Sequence, residues 1–129
     1  MDDAPEAAFN SAWAYRQIDE RAKAIEIYEL FIATYGSDAC LAVLQNGDAQ
    51  AEPPVAPNER KYEERVRHLG AAYEALTDVL VVVGNYQRAA DVFETASKVE
   101  HFAEKSRHAA IQKAKELREM AAPAAPSQP

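Results

Sequence analysis

The sequence predicts an all-α protein, because three of its features favour helices over strands. Glycine is scarce, with four residues in a chain of 129, whereas alanine, glutamate and lysine, which form helices well, are abundant. Apolar residues recur at steps of three and four, which is the period of one helix face. No alternating apolar run is long enough to indicate a pair of strands.

The clearest element is a helical hairpin between Tyr73 and Val99. Its first helix places large apolar residues three and four positions apart, at Tyr73, Leu76, Leu80 and Val83. Residues 79–83 are all apolar, which predicts that the end of this helix is buried on several sides. Gly84 suits the left-handed conformation that ends a helix, and Asn85 is a good N-cap for the next one.

The second helix of this hairpin places Ala89, Phe93 and Ala96 on one side, where small residues let two backbones approach closely. The run Gly-Asn-Tyr-x-x-Ala-x-x-x-Phe-x-x-Ala resembles the second half of a tetratricopeptide repeat, a helix–turn–helix unit of about 34 residues. The matching residues are Gly84, Tyr86, Ala89, Phe93 and Ala96. Thr77 and His101 depart from the pattern, since the family usually has a small residue and a proline there. The resemblance implies stacked helical hairpins in an α-α superhelix.

Two helices are predicted before residue 36, and together they resemble a more divergent copy of the repeat. The first starts near Pro5 and reaches Gln17, and the second runs from a cap at Asp19 to a stop at Gly36. The core stripe of the second helix consists of Ala24, Tyr28, Phe31 and Tyr35, which is close to the spacing of the later copy. The two units therefore cover about residues 5–36 and 58–100.

The segment between the two units is predicted to hold a short helix over residues 37–45 and an exposed loop over residues 46–57. The loop carries three prolines and is acidic, which disfavours helix. A solvated connector is the simpler interpretation, and a functional loop is the alternative.

A long helix is expected to start at an N-cap on Asn58. Its apolar residues keep steps of four and three from Tyr62 to Val83, which is a heptad pattern. This pattern predicts an oligomer seam at Tyr62, Val66 and Leu69 and leaves a homodimer open. A capping helix over residues 103–120 follows, and residues 121–129 form a linker-like tail. The apolar face of the capping helix is expected at Ala110, Ile111, Ala114, Leu117 and Met120.

No pattern of catalytic or metal-binding residues stands out, so the chain is expected to be non-enzymatic and to use no cofactor or metal. Its histidines, His68, His101 and His108, are interpreted as surface residues. Cys40 lies in an apolar run, which predicts a buried or half-buried thiol. Gly70 is isolated within the long helix and suggests close helix packing or a slight bend.

The resemblance also implies a function, which is to bind a peptide or partner helix in the groove lined by the first helix of each hairpin. The groove positions of the first unit are Phe9, Asn10, Trp13, Arg16 and Gln17, and those of the second unit are Glu74, Asp78 and Val81. Phe9 and Trp13 are alternatively core residues of a small array. The competing function is a homo-oligomeric structural bundle assembled through the helix over residues 58–83.

Charge and hydropathy narrow the expected partners. The net charge is −7, which disfavours nucleic acid. No apolar run reaches 18 residues, so no direct membrane insertion is expected. A general likeness of the repeat region to large tetratricopeptide proteins of bacterial envelope and gliding assemblies favours a soluble part of a larger envelope-associated protein, either cytoplasmic or periplasmic.

Overall fold

The structure is a computed structural model that describes residues 20–121. Helices make up 76% of these residues, which confirms the predicted all-α class. They are α1 (Arg21–Tyr35), α2 (Asp38–Asn46), α3 (Glu59–Val82), α4 (Tyr86–Ser97) and α5 (Glu104–Ala121). The predicted helix from Pro5 to Gln17 and the tail after Ala121 lie outside the described residues, and the tetratricopeptide arrangement of the hairpins remains a prediction.

The chain divides into two compact units within α3, one ending at Leu76 and the other starting at Thr77. In the first unit the buried apolar residues are Ala24, Ile25, Tyr28, Phe31, Leu41, Leu69, Ala72, Tyr73, Ala75 and Leu76. In the second unit they are Val79, Leu80, Ala89, Ala90, Ala96, Ala110, Ala114 and Leu117, with the buried polar residue Thr77 beside them.

Helix α1 presents the predicted core stripe, since Ala24, Tyr28 and Phe31 are buried. Tyr35 is half-buried, and its ring lies 5.3 Å from that of Phe31 and 4.8 Å from the guanidinium carbon of Arg65 on α3. The contact with Arg65 joins the end of α1 to α3 within the first unit. The helix stops at Gly36 as expected.

The start of α1 differs from the expected cap on Asp19. The N-cap position belongs to Glu20, whose side chain makes no capping hydrogen bond. Asp19, on which the cap was expected, lies outside the described residues.

Helix α2 and the loop after it confirm the predicted order of elements. Ser37 caps the helix, accepting a hydrogen bond from the Cys40 N–H at 3.2 Å. Within the loop, Asp48 and Val55 exchange two backbone hydrogen bonds of 2.7 and 2.9 Å. The Asn58 N–H then donates to the Leu44 carbonyl at 2.8 Å. The loop is largely exposed, yet its backbone is tied down at both ends.

The turn between α3 and α4 has the predicted chemistry. Gly84 adopts a φ of +82°, and the N–H groups of Gly84 and Asn85 donate to the carbonyls of Val81 and Leu80, both at 2.9 Å. This pair of bonds is a Schellman motif, which satisfies carbonyls at a helix end. The side chain of Asn85 accepts from the Arg88 N–H at 3.3 Å and caps α4, as Asn58 caps α3 through the Lys61 N–H at 3.0 Å.

Exposure at the end of α3 corrects the expectation of burial on several sides. Val79 and Leu80 are buried, but Val82 and Val83 remain 60% and 48% exposed. An apolar run shows that the end of a helix can be buried on every side. How many of its sides are buried depends on how many other elements pack against it.

Three further expectations about single residues are wrong. Cys40 is exposed, although the next residue of α2, Leu41, is buried. A methyl group added at Gly70 would meet no atom within 4 Å, so this glycine marks no close packing, and the alternative of a slight bend stays a prediction. Ile111 and Met120 are 54% and 58% exposed, since they flank the buried stripe of α5 on its two sides.

Helices α4 and α5 pack against each other in the second unit. Their buried residues are Ala89, Ala90, Ala96, Ala110, Ala114 and Leu117. Five of these six are alanines, which allows the two backbones to come close. An ion-pair cluster adds to the contact, since one Arg118 nitrogen lies 3.0 Å from Asp91 Oδ1 and 2.9 Å from Glu94 Oε1.

None of the described helices is by itself long and apolar enough to cross a membrane. One adjacent pair, α1 and α2, passes that test jointly by length and composition, with a bend of 52° between them.

Candidate functional site

The candidate site is a narrow surface on α3 formed by Glu74, Asp78 and Val81, which we name the α3 strip. Glu74 and Asp78 are exposed and Val81 is half-buried. Steps of four and three residues place all three side chains along one face of a regular helix.

Buried residues border the α3 strip closely. Tyr73 and Thr77 lie on one side of it by helical position and are 9% and 1% exposed, and Ala75 on the other side is 8% exposed. Tyr73 and Ala75 are buried in the first unit and Thr77 in the second. The positions of the α3 strip are those that the tetratricopeptide resemblance assigns to the groove.

The chemistry of the α3 strip is acidic at its centre and apolar at its C-terminal end. Glu74 and Asp78 present two carboxyl groups one helical turn apart. Val82, next to Val81, adds a side chain that is 60% exposed. Toward the N-terminus the same face continues through Gly70 and Ala71, whose small size leaves the backbone accessible.

Only part of the predicted site falls within the described residues. The five positions of the first unit lie outside them, namely Phe9, Asn10, Trp13, Arg16 and Gln17. Their grouping with the α3 strip remains a prediction.

One of the three residues of the predicted oligomer seam lies in the core. Leu69 is 1% exposed, and a Cβ added at Gly36 would lie 3.0 Å from its Cδ2 atom, so Leu69 packs near the end of α1. Tyr62 and Val66 are half-buried. Leu69 is thus already covered within its own chain. The seam at Tyr62, Val66 and Leu69 stays a prediction, because a helix that packs in its own chain and a helix that dimerises show the same heptad pattern.

Sequence reasoning missed a groove between α4 and α5. The residues that line it are Glu94, Ser97, Lys98, Ile111, Ala114, Lys115, Arg118 and Glu119. Lys98, Lys115 and Ile111 can be read from the sequence. That they lie close together depends on the register between α4 and α5, which the sequence pattern does not give. Hydrogen bonding to Asp91 and the charges of Asp91 and Glu94 raise the pKa of Arg118 above its ordinary value, against a smaller opposing effect of burial.

The side chains of the described segment offer little for metal chemistry. Across residues 20–121 no three His, Cys, Asp or Glu side chains gather closely enough to hold a metal ion. Burial raises the pKa of the Tyr73 phenol above its ordinary value.

Comparison with known proteins gives no assignment, since no protein-family model, no curated protein and no solved structure matches the chain.

Proposed function

We propose that the protein is a non-enzymatic protein-interaction module that binds a peptide or a partner helix along the α3 strip. The observation that carries this proposal is the exposure pattern of α3. Glu74 and Asp78 are exposed although Tyr73, Ala75 and Thr77 between and beside them are buried. A helix face that stays exposed beside buried neighbours is suited to line a binding surface.

The composition of the α3 strip indicates the kind of partner. Two exposed acidic residues one turn apart give this face negative charge, which favours a partner that carries lysine or arginine. Val81 and Val82 favour an apolar residue beside those basic ones. The absence of a side chain at Gly70 leaves space for close approach of a partner backbone. A peptide with basic residues and an apolar anchor fits these features.

The alternative function, a homo-oligomeric structural bundle, has weaker support than the binding function. A homo-oligomeric bundle through residues 58–83 would need the heptad stripe on the surface, but Leu69, Tyr73, Leu76 and Leu80 are all buried. We therefore favour the binding function.

Selection from a peptide display library on the full-length protein tests the proposal. We expect enriched peptides to carry lysine or arginine with an apolar residue. Their affinity, measured by fluorescence anisotropy, should fall at least about tenfold with Glu74→Lys and with Asp78→Lys. Both side chains are exposed, so the variants should retain the wild-type circular dichroism spectrum.

The matched control is Glu100→Lys, which makes the same charge change at an exposed residue between α4 and α5. It should leave affinity within about twofold of wild type. Failure to enrich any peptide, or equal binding by the strip variants and the control, would contradict the proposal.

A further inference from the structure

We propose that Asn46 is a modification site, where the side-chain amide is hydrolysed spontaneously to a carboxylate when the end of α2 opens. The segment that must open is the backbone from Asn46 to Asp48 together with Val55, its partner in the loop, and we name it the α2–loop junction. Water is the co-reactant. This inference does not depend on the α3 strip, because no residue of the junction belongs to α3.

The sequence makes Asn46 the most reactive asparagine of the chain. Four asparagines are present, and Asn46 is the only one that precedes a glycine. Hydrolysis starts when the backbone nitrogen of the following residue attacks the side-chain carbonyl carbon, and a side chain on that residue obstructs the attack. Gly47 has no side chain and a permissive backbone, whereas Asn58 and Asn85 precede a glutamate and a tyrosine.

The reaction has two steps, and both balance without an oxidant or a reductant. A bond forms between the Gly47 nitrogen and Asn46 Cγ, while the bond from Cγ to the side-chain nitrogen breaks. The proton of the Gly47 nitrogen leaves with that side-chain nitrogen as ammonia, and a cyclic succinimide remains. Water then opens the succinimide at either carbonyl carbon, which yields an aspartate or an isoaspartate.

The closed helix end keeps the attacking nitrogen away from its target. The Gly47 N–H donates to the Val43 carbonyl at 2.8 Å, which extends the helical bonding pattern one residue beyond α2. Closing the succinimide requires rotation about the Cα–C bond of Asn46, which takes this last residue of α2 out of the helix. The exposed amide of Asn46 is therefore open to water but not to the Gly47 nitrogen.

The loop after α2 prevents this rotation a second time. Asp48 and Val55 exchange backbone hydrogen bonds of 2.7 and 2.9 Å directly after the glycine. A Cβ added at Gly47 would lie 2.5 Å from the Val55 carbonyl oxygen and 2.8 Å from Pro57 Cδ, so the loop lies against the glycine itself. The peptide unit between Asn46 and Gly47 cannot turn unless this contact also opens.

The product weakens the junction that protected the amide. A carboxylate at residue 46 adds negative charge at the C-terminal end of α2, where the helix dipole disfavours it. Isoaspartate also adds a carbon atom to the main chain, which shifts the hydrogen bonds on its two sides out of register. The reaction thus converts a transient opening into a lasting one, in the helix that carries fully buried Leu41.

Peptide mass mapping of the full-length protein, incubated at mildly alkaline pH in buffer and in urea, tests the proposal. In urea we expect Asn46 to react at least about tenfold faster than Asn58 and Asn85, because only its successor lacks a side chain. In buffer Asn46 should react at least about tenfold more slowly than in urea, because attack then requires local opening.

Hydrogen exchange of the Gly47 amide gives an independent measurement on the wild-type protein. Exchange and attack require release of the same N–H from the Val43 carbonyl. The slowing of exchange by folding, measured by nuclear magnetic resonance, should therefore agree with the slowing of hydrolysis to within about threefold. A strongly protected Gly47 amide beside a freely reacting Asn46 would overturn the proposal.

Val55→Pro opens the junction without altering the reacting residues. Proline has no N–H to donate to the Asp48 carbonyl, whereas the matched control Val55→Ala retains it. We expect Val55→Pro to raise the rate at Asn46 in buffer at least about threefold and Val55→Ala to stay within about twofold of wild type. Circular dichroism verifies that both variants are folded, and the exchange measurement tests the proposal without either variant.

Equal rates at Asn46 in buffer and in urea would overturn the proposal. So would a rate in urea no higher than at Asn58 and Asn85, or a folded Val55→Pro variant with the wild-type rate. None of these measurements involves a binding partner, so failure of the proposed function at the α3 strip is distinguished from failure of this inference.

Discussion

Gly84 and Gly70 lie in different backbone conformations, although a methyl group added at either would meet no atom within 4 Å. Gly84 has a φ of +82° in the turn after α3, whereas Gly70 is an interior residue of that helix. The same substitution therefore isolates the effect of the backbone. We expect Gly84→Ala to lower the free energy of unfolding by about 1 kcal/mol, because alanine is strained in the left-handed region.

Urea denaturation followed by circular dichroism measures this change. Gly84→Asn is the control, since asparagine tolerates the left-handed conformation better than alanine. It should fall between wild type and the alanine variant. Equal stability of wild type and Gly84→Ala would contradict the Schellman turn.

Gly70→Ala should stabilise the protein, whereas Gly84→Ala should destabilise it. Alanine loses less backbone entropy than glycine in a helix interior, and its methyl group meets open space here. We expect the free energy of unfolding to rise by about 0.5–1 kcal/mol. The same urea titration checks it, and a loss of stability would show that Gly70 packs against something after all.

The buried phenol of Tyr73 links stability to alkaline pH. Tyr73 is 9% exposed, and burial raises the pKa of its phenol in the folded state. The folded state then holds its proton more tightly than the unfolded state. Its contribution is complete below the unfolded pKa of about 10 and is lost as the pH rises from there through the folded value.

We therefore expect stability to decline more steeply above pH 10 in wild type than in Tyr73→Phe. The urea midpoints of both proteins, measured at intervals of about one pH unit between pH 8 and pH 11, give this comparison. Tyr86→Phe, at a half-buried tyrosine, is the control for removing a tyrosine hydroxyl elsewhere in the chain. Parallel curves for wild type and Tyr73→Phe would refute the linkage.

Features that depend on one residue and its chain neighbours were largely predictable from the sequence. The caps at Asn58 and Asn85 and the turn at Gly84 were all located correctly, because capping and left-handed turns follow from local chemistry. The exposure of Cys40 and Val82 was not, since it depends on which other elements cover them.

At the scale of elements, the bounds of the described helices agree with the sequence pattern to within a residue or two, and the predicted helix from Pro5 to Gln17 lies outside the described residues. The relative register of α4 and α5 could not be predicted from the sequence pattern. That register brings Arg118 to Asp91 and Glu94 and creates the groove beside them. A periodic stripe shows which side of a helix is buried, but not which residue of the neighbouring helix it meets.

The ion-pair cluster of Arg118 should contribute a salt-dependent part of the stability of the second unit. Arg118→Ala removes both ion pairs between α5 and α4. We expect a small decrease in the urea midpoint at low ionic strength that shrinks in about 1 M NaCl, where the screening length is about 3 Å.

Urea is the appropriate denaturant for this comparison because it adds no salt. Lys113→Ala is the matched control, since it removes an exposed pair with Glu116 within α5 alone. It should change the midpoint less than Arg118→Ala. A decrease with Arg118→Ala that is unaffected by salt would point to lost packing of the arginine stem instead.

At the scale of the whole molecule, the same heptad stripe on α3 fitted two predictions, a core and an oligomer seam. Burial distinguishes them, because Leu69, Leu76 and Leu80 each keep 2% or less of their exposure without any second chain. A stripe already covered in this way has little apolar area left to bury in a dimer, and area is what a stable homodimer needs.

We therefore expect the full-length chain to sediment with the mass of one chain across a range of concentrations. Tyr62→Glu and Val66→Glu, at the half-buried end of the stripe, should leave that mass unchanged. A dimer in wild type that these two variants convert to monomer would confirm the seam. The heptad stripe of α3 would then contribute both to the core and to a dimer interface. That result would favour the homo-oligomeric bundle over the binding function. A monomer leaves the α3 strip open to another protein, which is what the proposed binding function requires.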